Sequence, residues 1–150
     1  MKDLSIEELN KKFEIRWKTL EKRSKDCNLG LPNKEQLHKL LLVSFFNGFK
    51  CAYCKTQLKI YDKYPYYKIF SFEHKKSIYF GGTNNIENFA IVCHRCNLTK
   101  GPITEETWRA IIQHLPHELF EKMCNESFSA NMSRILKRQK ICRDETSNEY

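Results

Sequence analysis

Two cysteine pairs, Cys51-Ala-Tyr-Cys54 and Cys93-His-Arg-Cys96, constrain this 150-residue chain more than any other feature, and 38 residues separate Cys54 from Cys93. Each CxxC turn presents two sulfurs from one short loop, and two such turns match the ligand spacing of a tetrahedral four-thiolate Zn²⁺ site. Four thiolates leave the ion no open position, so the expected role is structural. The ion would clamp two distant turns together, and its loss would unfold the middle of the chain. A single domain of this length has a modest core, and a structural metal fits that need. The cysteine count of seven is odd, and the spacing is that of metal ligands rather than of a disulfide framework. Cys27, Cys124 and Cys142 have no CxxC partner and are expected to be ordinary thiols. Nothing at Met1-Lys2-Asp3 resembles a signal peptide, and apolar runs such as Leu40-Leu41-Leu42-Val43 are too short to span a membrane. The expectation is a reducing, cytoplasmic setting with no membrane partner.

Charge is concentrated around the cysteine frame. Residues 48–101 carry nine Lys/Arg against three acids, so +6 of the formal net charge of +8 falls there. That asymmetry points to a polyanionic partner such as nucleic acid.

Periodicity places helices on both sides of the frame. Ser5-Ile6-Glu7-Glu8 reads as a capping box, followed by Leu9, Phe13, Trp17 and Leu20 at helical spacing to about residue 25. Asn28 through Asn33 is a break; Asn33 then caps a second helix with Leu37, Leu40, Leu41 and Phe45 on its apolar face, ended by Asn47-Gly48. Tyr66 to Phe72 reads as a strand after Pro65, and His74 falls just past its end. Residues 75–87 read as a loop around Gly81-Gly82-Thr83-Asn84-Asn85, and Phe89 to Val92 as a second strand. A short helix follows Cys93 and stops at Gly101-Pro102; another starts at Thr104 and is interrupted by Pro116. Residues 117–125 and 128–140 read as two further helices, the last carrying Arg134, Lys137, Arg138 and Lys140, with a frayed tail from Asp144 to Tyr150.

Inside the frame, Glu73-His74 is followed by Asn88 and, next to Cys96, by Asn97. Carboxylate and amide oxygens suit a second, harder metal ion, and an imidazole titrates near neutral pH, so the set offers a metal beside a general base. The run Glu73-His74, Gly81-Gly82, Asn88, Cys93-His94-Arg95-Cys96-Asn97-Leu98-Thr99-Lys100-Gly101 resembles the motif of HNH endonucleases, the ββα-metal or His-Me finger nucleases, and looks like their four-cysteine, zinc-containing branch. The resemblance covers about residues 51–101, a third of the chain. It implies an α+β fold: a small ββα-metal core with a Cys₄ structural zinc, flanked by N- and C-terminal α-helices. The implied organisation is a helical extension over 1–50, the nuclease core over 51–101 and a second helical extension over 102–150, together one compact unit.

The resemblance also assigns roles. His74 corresponds to the general base that takes a proton from the attacking water. Glu73 and Asn97 correspond to the ligands of a catalytic Mg²⁺ or Mn²⁺ ion. Asn88 corresponds to the residue that braces the loop and orients the His. Lys75, Lys76, Arg95 and Lys100 are the expected contacts with nucleic acid. The implied reaction is hydrolysis of DNA, double-stranded as the expected substrate, leaving 5′-phosphate and 3′-hydroxyl ends; cutting both strands would take a homodimer or two successive nicks. Two positions depart from the family pattern. The acid before His is usually Asp and is Glu73 here, one methylene longer, and the residues after it are usually apolar but are Lys75-Lys76. A non-catalytic, zinc-stabilised nucleic-acid-binding module is the alternative reading. A cross-brace interaction domain would need eight ligands, and the chain offers two clean cysteine pairs. His94 is a candidate phosphate contact or fifth zinc ligand; His114 and His117, flanking Leu115-Pro116, read as surface residues, and His38 has no evident partner.

Overall fold

The computed structural model of the chain describes residues 5–61, 63 and 66–146. Four expectations fall outside these: those at Met1-Lys2-Asp3 and at Pro65, the tail over 147–150, and the side chains of Lys137, Arg138, Lys140 and Cys142.

The first helix, α1 (Ile6–Asp26), begins where the side chain of Ser5 accepts a hydrogen bond from the Glu8 amide at 3.1 Å. Its apolar stripe buries Leu9, Phe13 and Leu20, with Trp17 packed at the margin. Helix α2 (Lys34–Phe46) is capped by Asn33, whose side chain accepts from the Gln36 amide at 2.9 Å, and ends at Asn47-Gly48, the glycine taking φ +89. The chain then enters the first cysteine turn through Phe49, which is buried between Phe45 and Phe70.

Strands β1 (Phe70–His74) and β2 (Phe89–Cys93) pair antiparallel, with Phe70 opposite Cys93, Glu73 opposite Ala90 and His74 opposite Phe89. β2 is buried along its whole length and runs directly into α3 (His94–Lys100), whose first residue follows Cys93. Helix α4 (Glu105–His114) starts at the Thr104 cap and buries Trp108, and α5 (His117–Thr146) lies across α3. Helix α1 covers the sheet from the other side: Phe13 meets Phe72 edge-on at 5.9 Å. The core joins both helical extensions to the frame, since Leu9, Leu41, Phe70, Val92, Trp108 and Cys124 belong to one buried cluster. No helix among the described residues is long and apolar enough to cross a membrane.

Several expectations need correction. The strand expected over Tyr66 to Phe72 is instead Phe70–His74, because Tyr66 takes φ +63 and Ile69 bridges Lys59 rather than β2. His74 is therefore the last residue of the strand, not a residue beyond it. The loop over 75–87 contains two 3₁₀ turns, Ile78–Phe80 and Ile86–Asn88. The two helices expected after Pro116 are one continuous helix, α5, and the first part of the expected tail is helical as far as Thr146. Packing overrides the weak helix formers near Ser127: Phe128 is fully buried, with its ring 4.6 Å from that of Tyr67.

Since Phe13 joins α1 to the sheet, Phe13→Ala is expected to remove about 3–5 kcal/mol of stability in urea melts. A loss below about 1 kcal/mol would show α1 to be an appendage rather than part of the core.

Candidate metal centre and polar cleft

The two CxxC turns meet. The sulfurs of Cys51, Cys54, Cys93 and Cys96 all lie within 4.8 Å of one another, and those of Cys54 and Cys93 are 3.7 Å apart. Four thiolates about 2.3 Å from a tetrahedral ion stand about 3.8 Å from each other, so the set fits a metal ion. Local bonds shape each turn: Cys51 N donates to Thr56 O at 2.9 Å, and the Cys96 amide donates to Cys93 Sγ at 3.4 Å. Ala52 N donates to Ile91 O at 3.0 Å, which ties the first turn to β2. His94 stands outside this set. Its Nδ1 is 3.3 Å from Ser71 Oγ, its ring lies against Phe128, and burial lowers its pKa to about 4. Cys124, which is not one of the four, is buried, and burial pushes its thiol up to about 11.

Glu73 and His74 are the last two residues of β1. Glu73 meets α3: its Oε1 accepts from Lys100 Nζ at 2.8 Å, and both side chains are buried. Burial raises the Glu73 carboxyl to about 7, against the pull of the Lys100 ammonium. Lys100 Nζ also donates to His74 O at 3.3 Å. Asn97 lies one turn earlier on α3 and donates Nδ2 to Phe72 O at 3.3 Å, which leaves its carbonyl end as the available donor atom. Glu73, His74 and Asn97 line one cleft of about 400 Å³, together with Arg23 and Cys27 at the end of α1 and with Ser77 and Tyr79. The oxygens of Glu73 and Asn97 are hard donors, so the cleft fits a divalent cation of the Mg²⁺ type by chemistry, although Lys100 already balances part of the Glu73 charge.

The ring of His74 is held by a residue expected only as part of a turn. Asn84 Oδ1 is 2.8 Å from His74 Nε2, and Asn84 Nδ2 donates to Gly30 O at 2.6 Å and to Ser24 Oγ at 3.0 Å. A backbone carbonyl only accepts, so the Gly30 contact fixes the NH₂ end of the amide there and turns Oδ1 toward the imidazole. Burial lowers the His74 pKa, which keeps the ring neutral at pH 7, and Nε2 must then carry the proton. The lone pair is on Nδ1.

Asn88 braces the intervening loop. Its Oδ1 accepts from Lys76 N at 2.8 Å, and its Nδ2 donates to Lys76 O at 3.0 Å and Thr83 O at 2.8 Å. Gly82 is required by the same closure, since a Cβ there would lie 2.0 Å from Lys76 O. The loop-bracing bonds are therefore made by Asn88, and the bond to the His74 ring by Asn84.

The residues expected at nucleic acid divide. Lys76 is exposed and Lys75 half-buried beside the cleft. Arg95 is buried and donates from its two terminal guanidinium nitrogens to Glu121, at 2.7 and 2.8 Å. Lys100 has no exposed surface. Contact of Arg95 or Lys100 with a phosphate would require each to leave its carboxylate. Sequence reasoning missed Arg23 in the cleft, and Asn84 and Ser24 in the hydrogen-bond chain behind the His74 ring. It also missed the partner of His38, whose Nε2 is 2.8 Å from Asn10 Oδ1, whereas His114 and His117 are exposed as expected.

Residues 51–102 match the family model described as HNH endonuclease. Comparison with curated proteins and with solved structures gives no match.

Two outcomes follow from this geometry. Lys100→Met is expected to cost about 3 kcal/mol in chemical denaturation by stranding the Glu73 carboxyl, and adding Glu73→Gln should restore part of it. A single variant as stable as wild type would contradict a buried ion pair. With metal bound, mass spectrometry after iodoacetamide treatment should show Cys27 modified but Cys51, Cys54, Cys93, Cys96 and Cys124 protected. A chelator should open the four ligand thiols, and reaction at those four before chelation would contradict the metal centre.

Proposed function

We propose that this chain is a metal-dependent DNA endonuclease in which residues 51–101 carry the chemistry, with 1–50 and 102–150 as helical extensions of the same unit. The observation that carries this reading is the cleft itself: an acid, a neutral imidazole and an amide gathered beside a four-cysteine centre, in the segment that the HNH endonuclease model matches. We assign Zn²⁺ to the four cysteines, where it closes the frame and stays out of the chemistry. Cysteines kept as metal ligands rather than as disulfides fit a reducing compartment such as the cytoplasm.

His74 Nδ1 takes a proton from a water molecule aimed at the phosphorus, and the bond from Nε2 to Asn84 holds the ring in the tautomer that leaves Nδ1 basic. Asn88 keeps the loop beside it closed. Glu73 and Asn97 would hold Mg²⁺ or Mn²⁺, which when bound supplies charge stabilisation for the pentacovalent phosphate and the departing 3′ oxygen. Arg23 and Lys76 offer positive charge to the flanking phosphates. The products carry 5′-phosphate and 3′-hydroxyl ends. One cleft engages one strand, so cutting both strands of a duplex takes a second copy or a second visit.

The Lys100 ammonium at Glu73 favours a second reading, a zinc-stabilised module that binds nucleic acid without cutting it. It entails salt-sensitive DNA binding with no cleavage in any divalent ion. Plasmid nicking in Mg²⁺ or Mn²⁺ separates the two. Wild type should nick, and His74→Ala should be slower by about 10²- to 10⁴-fold. Equal rates would remove His74 from its role, and no nicking by wild type would leave the binding module.

A further inference from the structure

The loop braced by Asn88 presents two aromatic rings to solvent. Tyr79 is 84% and Phe80 56% exposed, and their rings meet edge-on at 5.0 Å. Both sit on the 3₁₀ turn Ile78–Phe80, capped by Ser77 at one end and by left-handed Gly81 at the other. The three bonds from Asn88 and the close approach of Gly82 to Lys76 O fix the loop at its base. The rings therefore project from a rigid platform. Tyr79 lines the cleft that holds Glu73, His74 and Asn97, and Phe80 lines the adjoining depression with Lys75 and Lys76. Aromatic surface beside cations at a polar cleft matches the chemistry of a nucleic-acid strand, which offers a flat base and a phosphate at each step.

We infer that Tyr79 and Phe80 form a stacking platform for an unpaired base, so that the cleft selects DNA whose strands are locally open over intact duplex. A base inside a duplex already has both faces covered, whereas a base freed from its stack can lie on a ring while its phosphate reaches Arg23 or Lys76. The location of the reacting phosphate rests on the endonuclease reading, but the stacking contact does not require cleavage.

The test uses the full, metal-loaded chain without added Mg²⁺ or Mn²⁺. Two 5-iodouracil-labelled DNA duplexes are compared, one fully paired and one with a short unpaired bubble carrying the label, by fluorescence anisotropy and by photocrosslinking with mass spectrometry. The expected result is about tenfold tighter binding of the bubble, with the crosslink on Tyr79 or Phe80. Tyr79→Ala with Phe80→Ala should reduce the ratio to near one, with thermal unfolding little changed because both rings are exposed. Equal affinity of the parent chain for both DNAs, no binding to either, crosslinks elsewhere, or a ratio that survives the double substitution would each overturn the inference. Bubble preference and the crosslink in a chain that never nicks plasmid would sink the endonuclease reading and leave this one standing. Nicking without bubble preference would do the reverse.

Discussion

Convergence of Cys51, Cys54, Cys93 and Cys96 holds together segments that backbone pairing alone would hold weakly. The sheet has two strands of five residues each, and an isolated pair of that size is marginal in water. The first cysteine turn is far from β2 in sequence yet bonds to it through Ala52 and Ile91. A metal ion at the four sulfurs would make that approach permanent. It would also fix the start of α3, because Cys93 caps the helix and Cys96 lies in its first turn. Asn97 is the next residue, so an ion there would also set its position and that of Lys100 one turn later. An ion at the four sulfurs would thus act on the polar cleft through one short helix.

The cleft gathers polar groups that are costly to bury, and each is answered by a partner. Glu73 has Lys100, His74 has Asn84, and Asn84 is anchored in turn by Ser24 and Gly30. Those last anchors belong to α1 and to the segment after it. The N-terminal extension therefore reaches the imidazole through one amide, and α5 reaches α3 through Arg95 and Glu121. Both flanking regions act on the geometry of the centre.

Much of this was legible in the sequence because it is local. The CxxC spacing, the caps at Ser5, Asn33 and Thr104, and the stop at Gly101 each involve residues within a turn of one another. The four converging cysteines, and Glu73, His74 and Asn97 in the cleft, were legible through a motif of fixed spacing. The role of Asn84 was hidden because its partners lie 54 and 60 residues away, and Gly-Thr-Asn-Asn reads locally as a turn. The burial of Arg95 and Lys100 was hidden for the same reason: a cation on a short helix looks exposed until the carboxylates of Glu121 and Glu73 are brought to it. β1 was displaced because aromatic content marked Tyr66 to Phe72 as extended, whereas the positive φ of Tyr66 turns the chain first.

Anomalous diffraction from crystals grown with zinc and soaked in manganese tests the central claim most directly, that one ion builds the frame and a harder one works in the cleft. The expected maps show a zinc-edge peak among the four cysteine sulfurs and a manganese-edge peak in contact with Glu73 and Asn97 beside His74. A cleft without manganese, with Glu73 still joined to Lys100, or zinc bound anywhere other than the four cysteines, would contradict it.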